Sequence, residues 1–259
     1  MSSGANRLVA VVGGASGIGE AVCRVMAGHG WRVAVLDVNG QAANELAQSM
    51  GAAHHARADV TDEASLSQAL DALEKACGPV HAMVNTAAAF QPVETAGDTP
   101  ATTWARIVDV NLHGAWNAAR VFGTRMAGRG GGVIVNFSSA AAELHMPPHG
   151  YGASKAAVRN LTSTLAVEWG RKGVRVVVVT PGVTLVPRVK ARIESGERYK
   201  VHPDKFTALG RLVEPDEVAE TVEFLCSDRA SAITGSNFTV DAGFVAAAGW
   251  SIFGGPPGA

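Results

Sequence analysis

Leu8-Val9-Ala10-Val11-Val12-Gly13-Gly14-Ala15-Ser16-Gly17-Ile18-Gly19 is a short apolar, valine-rich run, then a glycine-rich turn, then the start of a segment with helical spacing, Ile18–His29. Glycine in such a turn permits a tight bend and close approach of the backbone to a pyrophosphate, which then meets the positive end of the helix dipole. A glycine cluster alone says little, because turns are glycine-rich anyway. The strand before it and the helix after it give it meaning, since together they open a βαβ unit.

The rest of the chain repeats that unit. Strands are expected at Leu8–Val12, Arg32–Leu36, His54–Ala58, Ala82–Asn85, Val133–Phe137, Arg175–Thr180 and Asn237–Val240. Most are continuously apolar, as in sheets covered on both faces. Between them lie helical stretches at Gln41–Met50, Glu63–Ala76, Pro100–Met126, Gly152–Gly170 and Pro215–Ser227, with start signals at Asp62 and at the Glu214-Pro215 step. The pattern predicts an α/β fold: one doubly wound, Rossmann-like domain over residues 1–245, about seven mainly parallel strands flanked by helices. Residues 246–259 are read as a C-terminal tail. Its segment Gly249–Ala259, with Trp250 and Phe253, is expected to be irregular or to dock its aromatics on a neighbouring subunit.

Composition fits an ordinary soluble domain. The chain has 259 residues, 47% apolar and 17% charged, and includes 30 glycines. A formal net charge of −1 lacks the concentrated basic surface of a nucleic-acid binder. Cys23, Cys77 and Cys226 are far apart and are read as reduced core thiols. The N-terminal segment lacks the apolar stretch of a signal peptide, and no run approaches the ~20 residues of a membrane span. Cytoplasmic location follows from these readings.

Asp37 ends the second strand twenty residues beyond Gly17, where a carboxylate can accept from adenosine ribose hydroxyls. A 2′-phosphate there would meet like charge, and Ala15, Ser16 and Val38 supply no cation to welcome it. NAD(H) is therefore expected over NADP(H). The competing reading, an aspartate that merely opens the turn before Asn39-Gly40, leaves its coincidence with the glycine loop unexplained. Asp59 and Val60 follow the third strand, where a carboxylate and a backbone amide suit an adenine. Asn85-Thr86-Ala87-Ala88 follows the fourth, again at a strand's carboxyl end.

Tyr151-Gly152-Ala153-Ser154-Lys155 opens a long helical stretch, and a spacing of four puts phenol and ammonium on one face. A phenol titrates near ~10 in water, so acid or base work near neutrality needs positive charge beside it. Only two tyrosines exist in the chain. One of them sits here, behind a complete cofactor half.

Over about residues 7 to 245 the chain resembles the compact branch of the short-chain dehydrogenase/reductase family. The resemblance implies that Tyr151 is the acid/base and that Lys155 binds nicotinamide ribose hydroxyls and lowers the tyrosine pKa. It implies that Asn111, in Asp109-Val110-Asn111-Leu112-His113-Gly114, holds a relay water, and that a serine after Val133–Phe137 bonds the substrate oxygen. Ser139 is favoured by strand register, whereas the family's usual separation of thirteen selects Ser138. Gly13, Ser16, Gly17, Ile18, Gly19 and Ala87 would hold the cofactor with Asp37, Asp59, Val60, Asn85, Tyr151 and Lys155. Pro181, Gly182 and Thr184 would meet the nicotinamide amide. Val12, Thr86-Ala87-Ala88 and Val186 depart from the family pattern, and the first two are expected to weaken local hydrogen bonding. A homotetramer, or a homodimer, is the assembly implied.

The segment Leu185–Thr207 is expected to cover the site. Its bases Arg188, Lys190, Arg192, Arg198, Lys200 and Lys205 outnumber Glu194, Glu197 and Asp204, which would suit either an anionic substrate or a solvated helix face. His145 and His149 precede Tyr151 and are read as pocket wall or surface groups; no metal site is indicated. An epimerase of the extended relatives would need a larger C-terminal domain, and an enoyl reductase relative would space tyrosine and lysine wider. A cofactor-binding regulator or scaffold has no chemical need for Asn111, Ser139, Tyr151 and Lys155 together. The reading is thus an NAD-dependent oxidoreductase that moves a hydride between NAD(H) and a small secondary alcohol or ketone, with no nucleic-acid or membrane partner.

Overall fold

A computed structural model describes residues 6–196, 201–253 and 255–256. The opening run forms β1 (Leu8–Val12), buried at every residue. Side chains alternate across a strand, so Leu8, Ala10 and Val12 enter one core layer while Val9 and Val11 enter the other. This explains the unbroken apolar pattern.

The remaining strands are β2 (Arg32–Asp37), β3 (His54–Arg57), β4 (Val80–Asn85), β5 (Gly132–Phe137), β6 (Val174–Pro181) and β7 (Asn237–Val240). They form one seven-stranded sheet in the order β3-β2-β1-β4-β5-β6-β7, and every pairing is parallel. The edge strands β3 and β7 are short and only partly buried, which limits pairing with other chains.

One face is covered by α1 (Gly17–Gly28), α2 (Gly40–Met50) and α8 (Pro215–Cys226), whose Val22, Met26, Leu46, Val222 and Leu225 pack on the sheet. The other is covered by α3 (Glu63–Cys77), α5 (Gly114–Gly128) and α6 (His149–Gly170), through Leu66, Leu70, Phe122, Leu165 and Trp169. A β-carbon on Gly123 would stand 2.2 Å from the Trp169 ring, so glycine is what lets α5 and α6 touch. The order of strands reverses between β1 and β4, which leaves a crevice at the carboxyl edge of the sheet.

Both predicted helix starts hold. Asp62 accepts from Ala64 N–H at the head of α3, and Glu217 reaches back to the N–H of Glu214 at the head of α8. Four expectations need correction. The stretch 100–126 is not one helix: α4 (Ala101–Val108) passes through a π-helical turn, Asp109–His113, before α5 begins. Helix α6 starts three residues earlier than expected, at His149. Cys77 is not a core thiol: it is half-exposed at the end of α3 and donates to Ala53 O, whereas Cys23 and Cys226 are buried, with thiols pushed up to about 12 by desolvation. The tail is more regular than expected, since α9 (Phe244–Ala247) runs on into a 3-10 turn over Ala248–Phe253.

Candidate active site

The turn after β1 is built around carbonyls and close backbones. Gly13 and Gly14 donate to Leu36 O at 2.8 and 3.1 Å, tying the turn to the end of β2. Gly13 has φ +77°, and a β-carbon there would stand 2.6 Å from Ala87 N; one on Gly19 would stand 2.2 Å from Gly13 O. Gly17 differs. A β-carbon there would meet only Val186, at 3.5 Å, so this glycine borders open space. Ser16, the cap of α1, makes no side-chain cap bond, which leaves the first-turn amides of that helix to a ligand. Ile18 anchors the turn from below by packing on the core. These features fit a dinucleotide's pyrophosphate.

Asp37 ends β2 with its carboxylate pinned at both oxygens: Oδ2 accepts from Ala15 N–H at 3.1 Å and Oδ1 from Asn39 N–H at 2.9 Å. It joins the glycine turn to the crevice wall. Asp59 is less open than expected, because Oδ1 accepts from both the amide and the hydroxyl of Thr61. Those bonds hold its carboxyl below the usual range. Val60 is buried against Gly114, and its carbonyl accepts from Asn117. Asn85 is buried and accepts from Ala87 N–H at 3.3 Å. Thr86 overturns the expectation of weakened bonding here: its hydroxyl lies 3.0 Å from the carbonyls of both Val12 and Gly13, stitching β4 to β1. Pro181 closes β6 opposite Val240, Gly182 lies on Asp241, and Thr184 is buried with its hydroxyl on Gly182 O.

The chemical end lies on the same edge. The π turn carries Asn111, 1% exposed, whose Oδ1 accepts from Ala89 N–H at 2.7 Å. Its Nδ2 donates to Ala89 O at 3.1 Å and to Ser154 Oγ at 3.2 Å. A π turn is a frequent companion of functional sites, and here it ties the α4–α5 junction to α6. Lys155 is 2% exposed, with Nζ donating to Phe137 O at 3.0 Å and lying 5.8 Å from the Tyr151 ring centre. The two serines divide. Ser138 is buried and its hydroxyl donates to Lys155 O at 2.9 Å, whereas Ser139 is half-exposed and caps a short 3-10 turn by accepting from Ala141 N–H.

Two side chains here were not legible in the sequence, and a third, Arg188, was read only as one base of a basic segment. Gln91 is buried and accepts from the N–H groups of Gly150 and Tyr151. Phe90 stacks on Tyr151 with ring centres 5.3 Å apart, and Arg188, on α7 (Pro187–Glu194), lies 3.4 Å from the centre of the Phe90 ring. No periodicity signals such contacts, since their partners are far apart in the chain. Helix α7 buries no residue, while Glu197, Arg198, Tyr199 and Lys200 of that segment lie outside the described residues. His145 and His149 are exposed. Among the described residues no group of three or more metal-binding side chains is gathered, and no helix is long and apolar enough to cross a membrane. Two hollows, of about 770 and 760 Å³, lie elsewhere, one between α3 and α5 and one at the amino ends of the strands.

Burial alone lowers the Lys155 pKa from 10.5 to about 8. Between those values the folded protein binds fewer protons than the unfolded chain, so stability rises with pH across that window. The thermal midpoint of the apoprotein is therefore expected to gain on Lys155→Met between pH 7 and the alkaline side, up to about pH 10. The full window corresponds to on the order of 3 kcal/mol. Differential scanning fluorimetry of both proteins checks this; parallel curves would show that Lys155 keeps its proton.

The comparisons agree with the geometry. A family model described as enoyl-(acyl carrier protein) reductase matches residues 13–245. Galactitol 2-dehydrogenase (L-tagatose-forming) of Cereibacter sphaeroides is 38% identical over 91% of this chain and 93% of its own. A crystal structure named as ribose-5-phosphate isomerase from Brucella melitensis 16M superposes with a TM-score of 0.93 at 36% identity, over 99% of this chain and 98% of that one. A gluconate 5-dehydrogenase from Burkholderia cenocepacia J2315, in complex with NADP and tartrate, does so with a TM-score of 0.88 at 28% identity, over 95% and 98%. With a family model matching residues 13–245 and a relative 38% identical over nine-tenths of both chains, the chain belongs to the short-chain dehydrogenase/reductase family of nicotinamide-dependent oxidoreductases.

Proposed function

We propose that the protein transfers a hydride between NAD(H) and a secondary alcohol or ketone, with Tyr151 as general acid/base. The observation that carries the reading is the pairing of Tyr151 with a fully buried Lys155, one turn apart on α6 at the carboxyl edge of the sheet. A buried ammonium beside a phenol favours the phenolate. The cofactor, when bound, supplies or accepts the hydride. Ser139 hydrogen-bonds the substrate oxygen, and Tyr151 gives or takes the proton at its Oη. Lys155 holds ribose hydroxyls and keeps positive charge near the phenol, and Asn111, clamped by Ala89 and Ser154, carries the relay water.

Asp37 supports NAD(H) over NADP(H) by its charge. The polyol-oxidising relative supports a secondary alcohol as substrate. The spacing of four between Tyr151 and Lys155 supports carbonyl over enoyl reduction. Exposed Trp104 on α4, Trp116 on α5 and Val167 on α6 support a homotetramer or homodimer in which these faces are covered.

The test is a panel of secondary alcohols, polyols and ketones, followed by NADH absorbance, with NADP(H) in parallel. NAD(H)-linked turnover is expected on at least one member. Tight NADH binding with no turnover across the panel would move the reading to a cofactor-binding regulator.

A further inference from the structure

Helix α6 begins without a cap of its own. Pro148, the residue before it, makes no side-chain cap bond, yet first-turn amides need partners. A partner comes from the segment after β4. Gln91, 1% exposed, accepts through Oε1 from Gly150 N–H at 2.8 Å and from Tyr151 N–H at 3.3 Å. Its Nε2 donates to Thr99 Oγ1 at 3.4 Å, which turns the carbonyl end of the amide toward the helix. The residues just before it are held as firmly: Asn111 clamps both backbone groups of Ala89, and the Phe90 ring contacts both Tyr151 and Arg188.

We propose that Gln91 is a positioning residue for Tyr151, fixing the first turn of α6 so that the phenol meets the reacting oxygen; this rests on the reading of Tyr151 as acid/base. The physical reason is local. Without Oε1, two amides at the head of α6 lose their acceptor in a buried setting, and the turn must loosen or rotate to find another. A displacement of about 1 Å at a reacting group costs about 10²-fold in rate. Gln91 bonds to the head of α6 and to Thr99, so its loss acts first on the turn that carries Tyr151.

The test compares wild type with Gln91→Met, Gln91→Glu and Tyr151→Phe. Gln91→Met is expected to lower kcat at least tenfold, with KM for the substrate and NADH binding within about threefold, and to speed amide exchange at residues 150–152. Gln91→Glu keeps the acceptor and places negative charge at a helix N-terminus, where it is favoured. It is expected to hold kcat within about threefold and to move the kcat pH limb upward, because added negative charge opposes the phenolate. Should Gln91→Met lose NADH binding and thus its fold, Gln91→Asn, one carbon shorter, carries the same expectation. Gln91→Met with at least half the wild-type kcat and unchanged exchange would overturn the proposal, as would Gln91→Glu equally impaired with an unmoved limb. Turnover that Tyr151→Phe leaves intact would overturn the Tyr151 reading instead. In that case faster exchange in Gln91→Met would still establish the cap.

Discussion

Tyr151→Phe is expected to fold normally, bind NADH as wild type does and turn over about 10³-fold more slowly on the best substrate of the panel, within the range a positioned acid/base contributes. The substitution removes one oxygen and nothing else. The ring keeps its stack on Phe90 and its place over Lys155, and its backbone N–H stays on Gln91. Fold and cofactor site are therefore separated from chemistry, and the loss should fall on kcat and kcat/KM alike. Stopped-flow and steady-state rates with intact NADH binding are the measurement. A variant within tenfold of wild type would mean that the proton moves through another group, and the assignment of Tyr151 would fail.

Asp37 governs the second large effect. Asp37→Ala combined with Val38→Arg is expected to reverse the cofactor preference, with NADH affinity falling about 10-fold to 100-fold and NADPH affinity rising. Hydrogen bonds to a charged group contribute about 1.5–3 kcal/mol, and each 1.4 kcal/mol is about tenfold. Removing the carboxylate also removes a charge that repels a 2′-phosphate, and the exposed position of Val38 lets an arginine reach one. Asp37 has a second duty, since it holds the amides of Ala15 and Asn39. Asp37→Asn, which keeps one acceptor and the shape, separates the two: it should lose discrimination while preserving most NADH binding. Fluorescence titration with both cofactors decides it. Unchanged NADH and NADPH affinities in the double variant would show that the adenosine end binds elsewhere.

The fold was legible because β1 to β7 carry their signal locally. A continuous run such as Val33-Ala34-Val35-Leu36 needs only its own residues to say that it is covered on both faces. The glycine turn was legible for the same reason, since Gly13 and Gly19 are required by contacts within one βαβ unit and its neighbour strand. The π turn at Asp109–His113 was not, because an extra residue in a helix leaves the apolar pattern almost unchanged. Thr86 was misjudged for a related reason: its departure from the family pattern was visible, but the Val12 and Gly13 carbonyls that receive its hydroxyl were not. Gln91 and Phe90 lie in a loop, and their partners on α6 and α7 are set by tertiary packing. Spacing alone carried the Tyr151 and Lys155 pair but could not divide Ser138 from Ser139. In the fold the two hydroxyls take different partners: Ser138 donates to Lys155 O, and Ser139 accepts from Ala141 N–H.

The pairing of β1 also sets how the chain must fold. Its first partner, β2, follows closely, but its other edge waits for β4, about seventy residues further on, where Val9 meets Ala82 and Val12 meets Asn85. Parallel sheets built from such distant pairings fold slowly. During synthesis at about 5–20 residues per second, β1 therefore spends seconds with one apolar edge unpaired. The strand that organises the cofactor turn is thus the one most exposed to misassociation as the chain emerges, and chaperone capture of nascent chains should concentrate on the window before β4 is complete.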